Sequence, residues 1–421
     1  MVREAQSDLL FKQTILEGSD HPQDVLVRDG RVAAVTPHID GGSPTTRVLD
    51  CTGMFLSPPL IDPHQHLDCA YMLDEENESG TLEEAVELFI RVKPRRSQQT
   101  VKALAERAVR EALCNGVTFI RSQVDVDSIA GMKHLEAVLE LKAAYLGIVD
   151  IQIVACMEYP LATEPEAALW LSRAIEAGAN LVGGIPEVEP DLEAKRRHVQ
   201  MVFDVARRYS VDIDMHIDET SDPNCRTLEL LADATLQHGY QGHVAAGHCC
   251  ALSVYDLDYA QKVIEKVALA QIHVITNPLT NLYIQGRGSG TPTWRGITRV
   301  KELLAAGVNV SCALDDNSNF FLPFGKMNML EVALFTSLAA QMTTPEQLQT
   351  VFDMPRGRAA CILGLQEYGF SVGKPADFIV LPVGSILDAI RLAPAPRYVV
   401  RRGKIVAESR LEQVTWRPIK F

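Results

Sequence analysis

Between residues 60 and 315 the chain repeats one pattern eight times: a short, apolar, β-branched run followed by a longer stretch with helical periodicity. The runs are Leu60–His66, Val117–Val124, Ile151–Ala155, Leu181–Ile185, Val211–His216, His243–His248, Ile272–Thr276 and Val308–Leu314. Among the longer stretches, Thr81–Cys114 opens on a Thr followed by Glu83 and Glu84. Pro165–Ala177, Asp191–Tyr209 and Leu228–His238 carry apolar residues three and four apart. Eight strands, each followed by helix, predict an α/β chain, a (β/α)8 TIM-like barrel. That architecture places chemistry at the C-terminal ends of the strands.

The two ends of the chain read differently. Residues 25–35, Val-Leu-Val-Arg-Asp-Gly-Arg-Val-Ala-Ala-Val, form a strand–turn–strand signal about Asp29-Gly30. Phe378–Leu381, Tyr398–Arg401 and Lys404–Val406 are similar, with Arg402-Gly403 between the last two. Neither end is long enough to bury a core alone. The expectation is one small β-sandwich domain built from 1–56 and 366–421, beside a catalytic barrel over 57–365.

Charge and composition narrow the partners. The 421 residues include 40 Lys+Arg and 54 Asp+Glu, a net charge of −14, which repels phosphate backbones and anionic lipid and argues against nucleic acid or a membrane surface. Apolar runs are short and interrupted by charge, so no membrane span is expected. The first sixteen residues lack a signal peptide's apolar core, and the nine cysteines lack the spacing of a disulfide framework. Reduced thiols in the cytoplasm are the expectation.

Pro63-His64-Gln65-His66 is the strongest local signal. Residues two apart on a strand share a face, so His64 and His66 can reach one metal ion. Two surface histidines are the bland alternative, but this pair ends the first barrel strand. Other strands end in His216, His248 and Asp315-Asp316. Four strands of one barrel ending in His or Asp is hard to obtain from packing, because these residues are costly to bury unpartnered. Imidazoles and a carboxylate suit one divalent ion, Zn or Fe(II), with a position left for water. Such an ion lowers the pKa of water so that hydroxide is available near neutral pH. Glu219, three residues past His216, is the natural proton shuttle. His248 either supports the ligands or polarises the attacking water, with a core histidine as the bland alternative. Cys249-Cys250 reads as apolar packing. The fourth strand end, Gly183-Gly184-Ile185-Pro186-Glu187, offers no lysine that could bridge two metals once carboxylated, so one metal is favoured.

At this point the chain resembles the amidohydrolase superfamily, and within it the bacterial cytosine deaminases, over nearly its whole length. The resemblance rests on Pro63-His-Gln-His-Leu-Asp68, Ser79-Gly-Thr-Leu82, Val124-Asp-Val126, Ile151-Gln-Ile-Val-Ala155 and His216-Ile-Asp-Glu219. It continues through Asn277-Pro-Leu-Thr-Asn281, Gln285-Gly-Arg287, Arg295-Gly-Ile-Thr-Arg-Val-Lys-Glu302, Asp315-Asp316 and Pro323-Phe-Gly325. It implies a metal, iron or zinc, held by His64, His66, His216 and Asp315. Glu219 would move a proton onto the ring nitrogen, His248 would help with the attacking water, and Asp315 would also accept a proton. It further implies a homo-oligomer.

Departures from that family bear on the substrate. Where cytosine deaminases carry a glutamine that both donates to and accepts from the pyrimidine edge, this chain has Glu158. An ionised carboxylate only accepts, so the ring edge facing it should offer two donors. A mismatched buried polar pair costs on the order of 1–3 kcal/mol. A protonated Glu158 imitating the glutamine is the alternative. Three positions that are bulky aromatics in the family are here Cys156, Ser318 and Phe321, which leaves room for a larger ring, a bicyclic one included. Together with Asp316 these form the expected substrate-contact set.

The expected activity is hydrolytic deamination of a small cytosine-like N-heterocycle, with water as co-substrate and ammonia as product. A 2-amino-4-oxo ring such as isocytosine or a pterin ranks above cytosine, 5-methylcytosine or isoguanine. Removal of an alkylamine from an aminotriazine is the competing reaction. Cyclic-amide hydrolysis is disfavoured by the missing fourth-strand lysine, and a non-catalytic scaffold by the complete ligand set.

Overall fold

The computed structural model describes residues 8–41, 43–157, 160–161, 164, 166–287 and 294–410. It divides into two compact units. One comprises the described residues up to Pro59, with Gly369–Ser385 and those from Pro394 onward; the other comprises Leu60–Tyr368 and Ile386–Ala393.

In the smaller unit, strand Leu9–Leu16 is the organising element. Its first half pairs in parallel with Arg47–Asp50 and its second half with Phe55–Ser57. Between the halves the register slips and Gln13 adopts φ +58°, so the strand bends and pairs with both partners within one continuous eight-stranded sheet. The hairpin read about Asp29-Gly30 is present, with Gln23–Arg28 antiparallel to Arg31–Thr36. The carboxyl-terminal strands Phe378–Leu381, Tyr398–Arg401 and Lys404–Glu408 extend the sheet through Phe55–Ser57. Phe11, Val25, Leu56, Phe378 and Val400 are buried together, which is the core neither terminus could make alone.

The larger unit is the barrel. Its parallel strands are Leu60–Gln65, Val117–Asp125, Asp150–Cys156, Leu181–Val182, Ile213–Ile217, Val244–His248, His273–Thr276 and Val310–Cys312, hydrogen-bonded in chain order. A single bridge between Gln65 and Asp315 draws the last strand to the first. Two elements differ from the sequence expectation. Thr81–Cys114 is two helices, Leu82–Val92 capped by Thr81 and Gln98–Cys114 capped by Ser97. Pro94 cannot donate the backbone bond a continuous helix needs, so Lys93–Arg95 makes a single 3₁₀ turn between them. The fourth strand stops at Val182 because the two glycines beyond it are needed for close approach: a Cβ on Gly183 would lie 2.3 Å from the Asp214 carbonyl. No helix among the described residues is long and apolar enough to cross a membrane. None of the nine cysteines forms a disulfide.

Candidate active site

The strand ends converge. His64 and His66 flank Gln65 on the first strand, His216 lies in the fifth, His248 ends the sixth, and Asp315 follows the eighth; all five are buried. The Nε2 atom of His216 lies 3.2 Å from Nε2 of His64 and 3.0 Å from Nε2 of His66. Asp315 Oδ1 is 3.3 and 3.5 Å from the same two nitrogens. Neighbouring ligand atoms around one tetrahedral ion with bonds of about 2.0–2.1 Å stand about 3.3 Å apart, so these spacings fit one ion. Neither oxygen of Asp315 takes a well-formed hydrogen bond from the described residues, although both are buried. Burial, reinforced by His64, His66 and His248, holds His216 well below the usual imidazole range, in the neutral form that ligates. Burial works against ionisation of Asp315, but His248 and His64 outweigh it and keep the carboxyl ionised. The spacing of these four residues, the neutral form of His216 and the ionised form of Asp315 therefore suit a divalent metal, while the Asp214 and Asp315 carboxylates raise the proton affinity of His64 against the pull of burial.

Behind them lies a support that the sequence reading passed over. The Asp214 carboxylate stands 3.8 Å from His64 Nδ1 and is itself fixed by Arg121, at 2.8 Å, and by Gln123, at 3.2 Å. The Lys93 ammonium is buried between Asp125, at 2.7 Å, and Asp127. Asp68 accepts from the Asp125 amide at 3.0 Å and lies 3.1 Å from His134 Nδ1. These pairs join the segments that follow the first two strands.

Glu219 is fixed from three directions. Its backbone amide donates to Glu187 Oε1 at 2.9 Å, its carbonyl accepts from Gln285 at 2.9 Å, and its carboxylate accepts from Asn281 at 3.2 Å. His248 Nδ1 is 3.1 Å from the same carboxylate oxygen. Burial lowers the affinity of His248 for a proton, yet the Glu219 and Asp315 carboxylates push it up to about 9. Asn277, Asn281 and Gln285 recur every fourth residue along the helix Pro278–Ile284 and its flanks, so all three face the site. That spacing was the available signal for them.

A cavity of about 730 Å³ opens over these residues. That is within the roughly 300–1,000 Å³ usual for small-molecule sites. His66, His216, Glu219, His248, Asp315 and Asp316 form one side of it, and Phe321 and Glu187 also line it. Of the remaining expected contacts, Cys156 is fully buried at the end of the third strand and Ser318 donates to the Gly325 carbonyl; neither is among the described lining residues. Glu158 lies outside the described residues. Asp316 accepts from Asn319 at 2.6 Å, and burial beside Asp315 pushes its carboxyl up to about 7.

A parallel barrel with three imidazoles and a carboxylate converging under a small-molecule cavity has the form of a barrel hydrolase. The chain belongs to the amidohydrolase family, whose model matches residues 72–407. It is 29% identical over 391 residues to a pterin deaminase of Rhizobium rhizogenes, covering 92% of this chain and 88% of that protein. It is 26% identical over 415 residues to N-isopropylammelide isopropyl amidohydrolase of a Pseudomonas species, covering 95% and 97%. Among solved structures, 5-methylcytosine deaminase from Klebsiella pneumoniae, liganded with 5-fluorocytosine, superposes with a TM-score of 0.91 at 29% identity. That match covers 97% of this chain and 99% of the other. The protein is thus a cytosine deaminase-like hydrolase acting on C–N bonds.

Proposed function

We propose that the protein is a metal-dependent deaminase of a 2-amino-4-oxo N-heterocycle, of the isocytosine or pterin type, that converts the ring C–NH2 and water into ring C=O and ammonia. The observation that carries this reading is the placement of Glu219 beside the four candidate ligands, at the wall of a cavity large enough for a bicyclic ring. His64, His66, His216 and Asp315 would hold one ion, zinc or iron(II). When bound, it supplies Lewis acidity that makes hydroxide available near neutral pH.

The protein's own groups supply the rest. Glu219, held by Asn281 and His248, carries a proton to the ring nitrogen beside the carbon under attack. His248, 3.9 Å from Asp315 and 3.1 Å from Glu219, links the two carboxylates and stabilises negative charge between them. Asp315 accepts the proton released from water. Glu158, acceptor-only when ionised, favours a guanidine-like edge over cytosine. The pterin deaminase relative supports that preference. The N-isopropylammelide amidohydrolase relative supports a second reading, alkylamine release from a triazine. We further propose that the enzyme works in the cytoplasm as a homo-oligomer.

The test is ammonia release by metal-reconstituted protein on cytosine, 5-methylcytosine, isocytosine, isoguanine, pterin and an aminotriazine. Preference for isocytosine or pterin is the expected result. Preference for cytosine overturns the Glu158 argument, and amine release from an N-alkyl triazine without ammonia release from any other ring favours the second reading.

A further inference from the structure

The loop after the fourth strand grips the end of the fifth at two points. The Gly184 carbonyl accepts from the His216 amide at 3.0 Å, and Glu187 Oε1 accepts from the Glu219 amide at 2.9 Å. The loop is itself fixed. The Ile185 amide donates to His198 Nε2 at 3.1 Å, and His198 Nδ1 lies 2.8 Å from Glu189. A Cβ on Gly184 would lie 2.2 Å from His198 Nε2, so only glycine permits this approach. Glu187 thus sits on a braced segment, with one carboxyl oxygen committed to the residue that carries the proposed proton transfer.

Its other oxygen is uncommitted. Oε2 is enclosed and has no hydrogen-bond partner among the described residues, while the residue lines the cavity. An enclosed carboxyl oxygen without a donor is costly as an anion, and as an O–H it needs an acceptor. On the deaminase reading above, we propose that Glu187 both positions and selects. Oε1 fixes the Glu219 backbone, and Oε2, carrying a proton, is uncovered as a 2-amino-4-oxo substrate enters and donates to its ring oxygen. Burial, with the Asp218 and Glu219 carboxylates nearby, pushes the Glu187 carboxyl up to about 8, so the proton is present at neutral pH. The substrate class this selects carries an acceptor oxygen on the edge away from the metal.

Three variants of the metal-loaded enzyme test it. Glu187→Leu removes both bonds, Glu187→Asp withdraws the carboxyl by one methylene, and Glu187→Gln keeps an acceptor for the Glu219 amide and an N–H in place of the O–H. On pterin, Glu187→Leu and Glu187→Asp should lower kcat at least tenfold with metal content unchanged, and Glu187→Gln should recover most of that loss. Inhibition constants supply the selectivity readout. Wild type should bind isocytosine at least tenfold better than 2-aminopyrimidine, which lacks the oxygen, and Glu187→Leu should reduce that ratio below threefold. If Glu187→Leu does not fold, the Asp and Gln pair carries the same comparison. Values of kcat and selectivity within threefold of wild type in the Asp variant overturn the proposal while the deaminase reading stands. Wild-type inactivity on every ring overturns both.

Discussion

The backbone amide of Asp315 donates to the carbonyl of His64 at 3.0 Å, and the Asp315 carbonyl accepts from the amide of His66 at 3.0 Å. The seam that joins the eighth strand to the first is therefore made by residues whose side chains converge on the candidate metal position. Barrel closure and assembly of the ligand set are one event, and binding an ion there should stabilise the fold as well as the chemistry.

Asp315→Gly separates the two contributions. Asp315 has φ +75°, which glycine adopts freely, so the variant keeps the seam and removes only the carboxylate. Bound metal, measured by elemental analysis, should fall from about one ion per chain, with an affinity loss beyond the roughly 10–100-fold that outer partners of a metal site cost. Chelator should lower the wild-type Tm and leave the variant's almost unmoved. Equal responses would contradict the coupling.

Glu219→Gln keeps the hydrogen bonds of its backbone but cannot carry a proton. Ammonia release should drop by about 10²–10⁴-fold, while elemental analysis finds the metal retained. Turnover within tenfold of wild type would assign the proton transfer elsewhere.

Glu158→Gln replaces an acceptor with a group that also donates. The ratio of kcat/KM for cytosine to that for isocytosine should rise at least tenfold, in line with roughly 1–3 kcal/mol for a mismatched polar pair. An unchanged ratio would remove Glu158 from substrate selection.

Asp24, in the smaller unit, gives a pH test independent of catalysis. It is fully buried, lies 2.6 Å from the Lys12 ammonium, and accepts from the Gln13 and Ile39 amides, each at 2.9 Å. Burial opposes its ionisation, but Lys12 and the two amides lower its pKa from 3.8 to about 2. The folded form therefore binds its proton less readily than the unfolded chain. The contribution, about 2 kcal/mol, is present above 3.8 and lost as pH falls through 2. Asp24→Asn should cost about that much in urea denaturation at pH 7, and the gap to wild type should shrink steadily between pH 4 and pH 2. A gap independent of pH would assign the loss to packing.

The strand ends were legible because burying His or Asp is expensive, and a barrel explains four such strand ends at once. What escaped was set by contacts distant in the chain. Asp214 looks like an ordinary strand residue until Arg121 and Gln123 arrive from the second strand. At the fourth strand end the missing lysine speaks only to the metal count, whereas Glu187, a carboxyl close behind two glycines at a barrel strand end, is the residue there with a role in the site. Thr81–Cys114 reads as one helix by periodicity, yet Pro94 marks the break and Ser97 supplies the second cap. The three amides Asn277, Asn281 and Gln285 were noted for resemblance, while their four-residue spacing already placed them on one face.

Asp218, His248, Cys249, Asp315 and Ser318 all hold a left-handed backbone that side chains larger than glycine adopt at a cost. This end of the barrel is thus spring-loaded, its strain offset by packing and closure elsewhere. Directed evolution for heat resistance should accumulate changes on the outer helices and spare these turns. Relaxing the turns themselves should yield sturdier proteins that work less well.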